Sequence, residues 1–167
     1  MKLPFIIALL VASLLWPAAQ AQDADRATRE RIYALQRQAD AINSLDALAG
    51  QHGVILGLET HGNLLASQAA EVIWRAEARH CMILWHAEHH LRNSESVDRA
   101  WVFVKSRVCH VHWNSKAKDV LEADVARTFP LLKSIGFDGF LSLEDINPPD
   151  SEATLKLHAE KFRQWSV

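Results

Sequence analysis

The chain has 167 residues, 49% of them apolar, and a formal net charge of −2. That is enough for one domain with its own core. It lacks the basic excess that phosphate neutralisation demands, which argues against a nucleic-acid partner. Two cysteines, Cys81 and Cys109, are too few for a disulfide framework.

The first 21 residues read as a secretory signal peptide. Lys2 precedes the apolar run "LPFIIALLVASLLW", and "PAAQAQ" ends in a small-x-small pattern at Ala19-Gln20-Ala21. The run is shorter than the roughly 20 residues a spanning helix prefers. Cleavage after Ala21 would leave a domain of residues 22–167 with no stable membrane insertion, exported to an oxidising, periplasmic compartment. Cys81 and Cys109 both fall in apolar strand-like runs, which favours two buried thiols over a single bridge.

From Asp23 to about Ala49 the apolar residues Ile32, Leu35, Ala39, Ile42, Leu45 and Leu48 recur at helical spacing, and Gly50 and Gly53 read as stop signals. Four units follow in which a short apolar run ends in polar residues and a helical segment comes next. The runs are "VILGLETHGN", "CMILWHAEHH", "RVCHVHWNSK" and "GFLSLEDINPP". The helical segments are expected near 64–78, from Ser94 or Ser96 onwards, at 120–134, and from Asp150 or Ser151 to Trp165. Trp74 and Trp101 are expected to pack from their helices. This alternation predicts an α/β fold with a parallel sheet and helical crossovers, and strands buried on both faces account for the near-continuous apolar runs.

Each run ends in one acid/base or ligand residue: Glu59, His86, His112 and Glu144. They are about one βα unit apart. Parallel strands present all their carboxyl ends on one face, so these four side chains are expected to converge. His110, two residues before His112, points to the same side one layer deeper. Glu88, His90 and His80 read as ordinary polar residues, and Arg92 reads as a surface cation with a possible substrate contact.

These motifs resemble the sugar phosphate isomerase/epimerase superfamily, whose fold is the xylose isomerase-like TIM barrel. The family strand ending "ALENHG" is matched by "GLETHGN", its "HVHVKD" by "HVHWNSK" and its "GYDGYLSLE" by "GFDGFLSLE". His86 stands where the family has Asp, and His89 matches a trailing family His. Asn114-Ser115 replaces Lys-Asp, and the glycine-rich loop that usually follows is absent. The resemblance covers roughly residues 43–165 and corresponds to the last four of eight βα units.

The resemblance implies an enzyme that moves a proton next to a carbonyl through a metal-stabilised enediolate. Glu59 and Glu144 would be the catalytic carboxylates. Glu59, His86, His112 and Glu144 would hold a divalent ion (Mn, Mg, Co or Zn), and His89, His61 and Arg92 would contact a small sugar or polyol-like substrate. Four strands cannot close a barrel, so a homodimer or a partner chain is expected to complete it. The alternative is an inactive half-barrel remnant or binding subunit. Some endonucleases share the superfamily, but the leader and the acidic balance disfavour that activity.

Overall fold

The computed structural model describes residues 4–62, 64–93, 95–116 and 120–167, with side chains from residue 23 onwards. The elements run α1 (Pro4–His52), β1 (Leu56–Glu59), α2 (Ala66–Ala76), β2 (Cys81–His86), α3 (Ala87–Arg92), α4 (Val97–Val104), β3 (Val108–Trp113), α5 (Glu122–Ala126), α6 (Thr128–Ser134), β4 (Phe140–Leu143) and α7 (Ser151–Trp165). The strands form one sheet in the order β1-β2-β3-β4, every pair parallel. This is the expected α/β arrangement of partial-barrel units. The side chains of the expected leader, residues 1–21, lie outside the described residues, and α1 is a continuous helix backbone from Pro4.

The pleat divides the sheet into two unlike faces. Cys81, Ile83 and Trp85 of β2 and Val111 and Trp113 of β3 are buried on the helix side. There they join Val72, Ile73, Ala100, Val104, Phe129 and Leu132 in the core. The opposite face carries Glu59, Leu84, His86, His110, His112, Ser142 and Glu144. Its strand neighbours are fixed by the pairs Glu59↔Leu84, His86↔His112 and His112↔Ser142. A register shift at Ile83/Leu84 brings His86 level with His112. Cys81 and Cys109 are free thiols, but only Cys81 is buried and Cys109 is half-buried.

Several local expectations change. α2 is shorter than the 64–78 segment. The expected 120–134 helix is broken into α5 and α6. A short helix, α3, begins directly after His86, because the polar "AEHHLR" can hide one face against the strand ends. Ser96 is the N-cap of α4, its hydroxyl accepting from Arg99 N–H at 3.3 Å. Gly50 does not stop α1. It stays within the helix, where the His80 ring occupies the space a Cβ would need, and α1 ends at His52, followed by Gly53 with φ +64°. Leu35 and Ala39 are buried, whereas Ile32, Leu45 and Leu48 of the same stripe are exposed. Trp101 packs in the core, but Trp74 is 75% exposed.

Candidate metal centre

Glu59 ends β1, His86 ends β2, His112 lies one residue from the end of β3, and Glu144 directly follows β4. Parallel pairing places all four on one rim of the sheet. Thr60 is fully buried and its hydroxyl accepts from the His86 backbone N–H at 2.9 Å, which locks the first two strand ends together. Asn114 links the other two: its side-chain amide donates to the Glu144 carbonyl at 3.0 Å.

The four side chains meet as a ring of alternating nitrogen and oxygen. His112 Nδ1 is 3.1 Å from Glu59 Oε1 and 3.3 Å from Glu144 Oε2. His86 Nδ1 is 3.4 Å from Glu59 Oε1 and 3.3 Å from Glu144 Oε2. All four residues offer ligand atoms within 4.8 Å of one another. Adjacent ligands on a divalent ion at about 2.1 Å stand roughly 3.0 Å apart in an octahedron and roughly 3.4 Å apart in a tetrahedron. The ring spacing therefore fits an ion at its centre.

A second observation supports that fit. His86 Nδ1 and Glu144 Oε2 are buried and make no hydrogen bond. A buried polar atom without a partner is costly, and both of these atoms face the ring centre. His86 is 6% exposed. Its burial, reinforced by the charges of His89, His112 and His61, lowers its pKa to about 3. The imidazole is thus neutral, the form that can ligate.

Glu88 is not the ordinary polar residue expected from sequence. It is 1% exposed in the first turn of α3. One carboxylate oxygen accepts from the Asn114 backbone N–H. The other, Oε2, is 3.4 Å from His86 Nε2, is buried and has no hydrogen-bond partner. Burial pushes the Glu88 carboxyl up to about 7. His90 is also buried, its Nδ1 accepting from the Ala66 N–H at 3.2 Å at the start of α2. His80 pairs with Asp46 of α1 at 3.3 Å.

Beside the ring, bordered by His86 and Glu144 but not by Glu59 or His112, lies a cavity of about 310 Å³ also lined by His61, His89, Arg92 and Lys116. The His61 and His89 rings are 4.0 Å apart, and His89 meets His86 edge-on at 4.2 Å. Burial and the charges of His61 and Arg92 lower the pKa of His89. Arg92 is exposed and lines the cavity. His110 sits one layer below, its ring 5.3 Å from that of His112 and its Nε2 2.9 Å from the Ser142 hydroxyl. Glu88, Thr60 and Asn114 were not singled out by the strand-end pattern. The "E" two residues after His86 was visible, but its inward turn depends on α3.

A sheet of parallel βα units with carboxylates and imidazoles gathered on its carboxyl rim defines a candidate metal site of the α/β-barrel kind. The xylose isomerase-like TIM barrel family model matches residues 7–165. The chain belongs to that family. Its fold is similar to D-allulose 3-epimerase from Methylomonas sp., with TM-score 0.64 and 16% identity over 76% of this chain and 54% of that one. It is also similar to 3-keto-D-glucoside 4-epimerase from E. coli, with TM-score 0.59 and 16% identity over 76% and 51% of the two chains. A third similar structure is a probable 3-DHS dehydratase from Bacillus anthracis, with TM-score 0.57 and 18% identity over 75% and 55%. The chain spans about half the length of these solved structures. Comparison with curated proteins gives no match.

Proposed function

We propose that this chain is a metal-dependent sugar isomerase or epimerase, acting on a small sugar, sugar phosphate or polyol-like substrate. The observation that carries the reading is the ring of Glu59, His86, His112 and Glu144, whose atoms are spaced as ligands of one ion. The ion, one of Mn²⁺, Mg²⁺, Co²⁺ or Zn²⁺, would polarise a substrate carbonyl and the adjoining hydroxyl. The chain's own residues would do the rest. Glu59 and Glu144 approach from the two edge strands of the sheet, so one can remove a proton from the carbon beside the carbonyl while the other returns it. His61, His89 and Arg92 border the cavity and would orient the hydroxyls. The epimerase names among the structural neighbours support this class of reaction and leave the sugar open.

The leader-like sequence of residues 1–21 supports an exported, periplasmic protein. The four-stranded sheet supports a second copy or a partner chain across the ring-bearing face. The test is solvent exchange at the carbon beside the carbonyl. In heavy water with added Mn²⁺ or Co²⁺, ketohexoses should gain deuterium there, and Glu144→Gln should reduce the rate by at least a hundredfold. Exchange that persists unchanged in Glu144→Gln or without metal would refute the mechanism.

A further inference from the structure

The strand-end ring explains which residues gather, but not why His86 offers Nδ1 and keeps Nε2 away. A neutral imidazole has one N–H and one lone pair, so the atom that faces the ring centre can ligate only if the proton sits on the other nitrogen. We propose that Glu88 is a positioning residue that holds this proton on His86 Nε2 and so leaves the Nδ1 lone pair free for the ion. The proposal rests on the metal reading of the ring.

Three observations carry it. Glu88 Oε2 is buried beside His86 Nε2 at 3.4 Å and has no hydrogen bond, so it is an acceptor aimed at that nitrogen. Glu88 Oε1 already accepts from the Asn114 backbone N–H, so the carboxylate cannot turn away without stranding a backbone donor. His86 Nδ1 makes no hydrogen bond, and the oxygens of Glu59 and Glu144 within 3.4 Å of it also attract the ring proton; their side chains are 31% exposed and screened by solvent, whereas that of Glu88 is 1% exposed, so Glu88 is the stronger acceptor. The two ring nitrogens thus face two different tasks. A small rotation of the ring would close the Nε2–H···Oε2 bond when an ion draws Nδ1 inward. A carboxylate behind a ligating histidine fixes both its tautomer and its orientation. The need arises from this sequence in particular, because the matched family motif has an Asp at position 86, which has no ring proton to place.

Glu88→Gln separates this role from packing. The side chain keeps its shape, and the Asn114 N–H still requires an oxygen. The amide NH₂ must then face His86 Nε2, which reverses the tautomer and puts the proton on Nδ1. The experiment uses the full chain at pH 8.5. The ring nitrogen shifts of His86 are read without metal, and Co²⁺ alone is titrated against a competing chelator. Wild type should show Nε2–H. Glu88→Gln should show Nδ1–H and bind Co²⁺ about 10- to 100-fold more weakly. In a His86→Asp background the same Glu88→Gln change should leave Co²⁺ affinity unaltered.

Nδ1–H in the wild type would overturn the proposal, and so would equal losses of affinity in both backgrounds. If Glu88→Gln does not fold, the wild-type tautomer alone decides. If the wild type takes up no Co²⁺, the metal reading falls, and the two tautomers still show whether Glu88 controls the His86 proton.

Discussion

His90 shows how burial at the rim becomes a pH dependence. It is fully buried, with its ring 4.9 Å from that of Trp85 and its Nδ1 3.1 Å from Glu95 Oε2, and burial prevails over that carboxylate and lowers its pKa to about 4. In the unfolded chain an ordinary histidine titrates near 6.5. The unfolded state therefore binds more protons than the folded state between these values, and stability must fall as pH drops from about 6.5 towards 4. His86 acts in the same direction down to about 3. Glu88 acts oppositely, because its raised pKa favours the folded state below about 4.5 and that benefit is lost as pH rises through about 7. Two histidines outweigh one carboxylate, so the midpoint of thermal unfolding should decrease from pH 6.5 to pH 4.5. His90→Gln should flatten that decrease. An unchanged acid slope in the variant would show that His90 is not its source.

At the scale of elements, α7 is the helix most firmly specified by its sequence. The Asp150 carboxylate accepts from the Ala153 N–H at 2.9 Å, and the far end docks through Trp165, whose ring lies 5.7 Å from Trp113 and 5.4 Å from Phe129. In between, His158 is buried and accepts from the Ser115 backbone N–H at 3.2 Å, tying the helix to the end of β3. Asp150→Ala should cost about 1 kcal/mol in chemical denaturation, the usual value of an N-cap. A change below a few tenths would mean that α7 is held by its aromatic end alone.

The same helix explains what could be read from the sequence. Asp150, Ser151 and Trp165 mark both boundaries by local chemistry. Strand ends were legible too, because parallel pairing converts a repeat in sequence into neighbours in space, and Glu59, His86, His112 and Glu144 share that repeat. α3 was not legible, because six residues rich in charge and histidine look like a loop until a strand end offers them a buried face. Glu88 was lost with it. Trp74 failed for another reason. Periodicity gives the face of a helix that a residue occupies, but only the surrounding structure shows whether another element covers it.

At the scale of the whole molecule, the sheet has one covered face and one open one. β1 and β4 are its edges. Phe140 and Ile146, in and just beyond β4, are each 79% exposed. Apolar side chains beside an unpaired parallel edge favour association. A barrel completed by a second polypeptide would cover Phe140 and shield the ring from water, which strengthens charge interactions at the site. Light scattering across a concentration series should show the chain self-associating, and Phe140→Lys should shift it to monomer with its circular dichroism intact. A wild-type chain that stays monomeric and stable at tens of micromolar would contradict the self-association account.

The central claim is that Glu59, His86, His112 and Glu144 form one divalent-ion site. Elemental analysis of the purified chain, equilibrated with Mn²⁺, Co²⁺ or Zn²⁺ and then desalted, tests it most directly. The account requires about one ion per chain, lost in the folded double variant Glu59→Gln/His112→Ala. No retained ion in the wild type, or equal retention in the double variant, would contradict it.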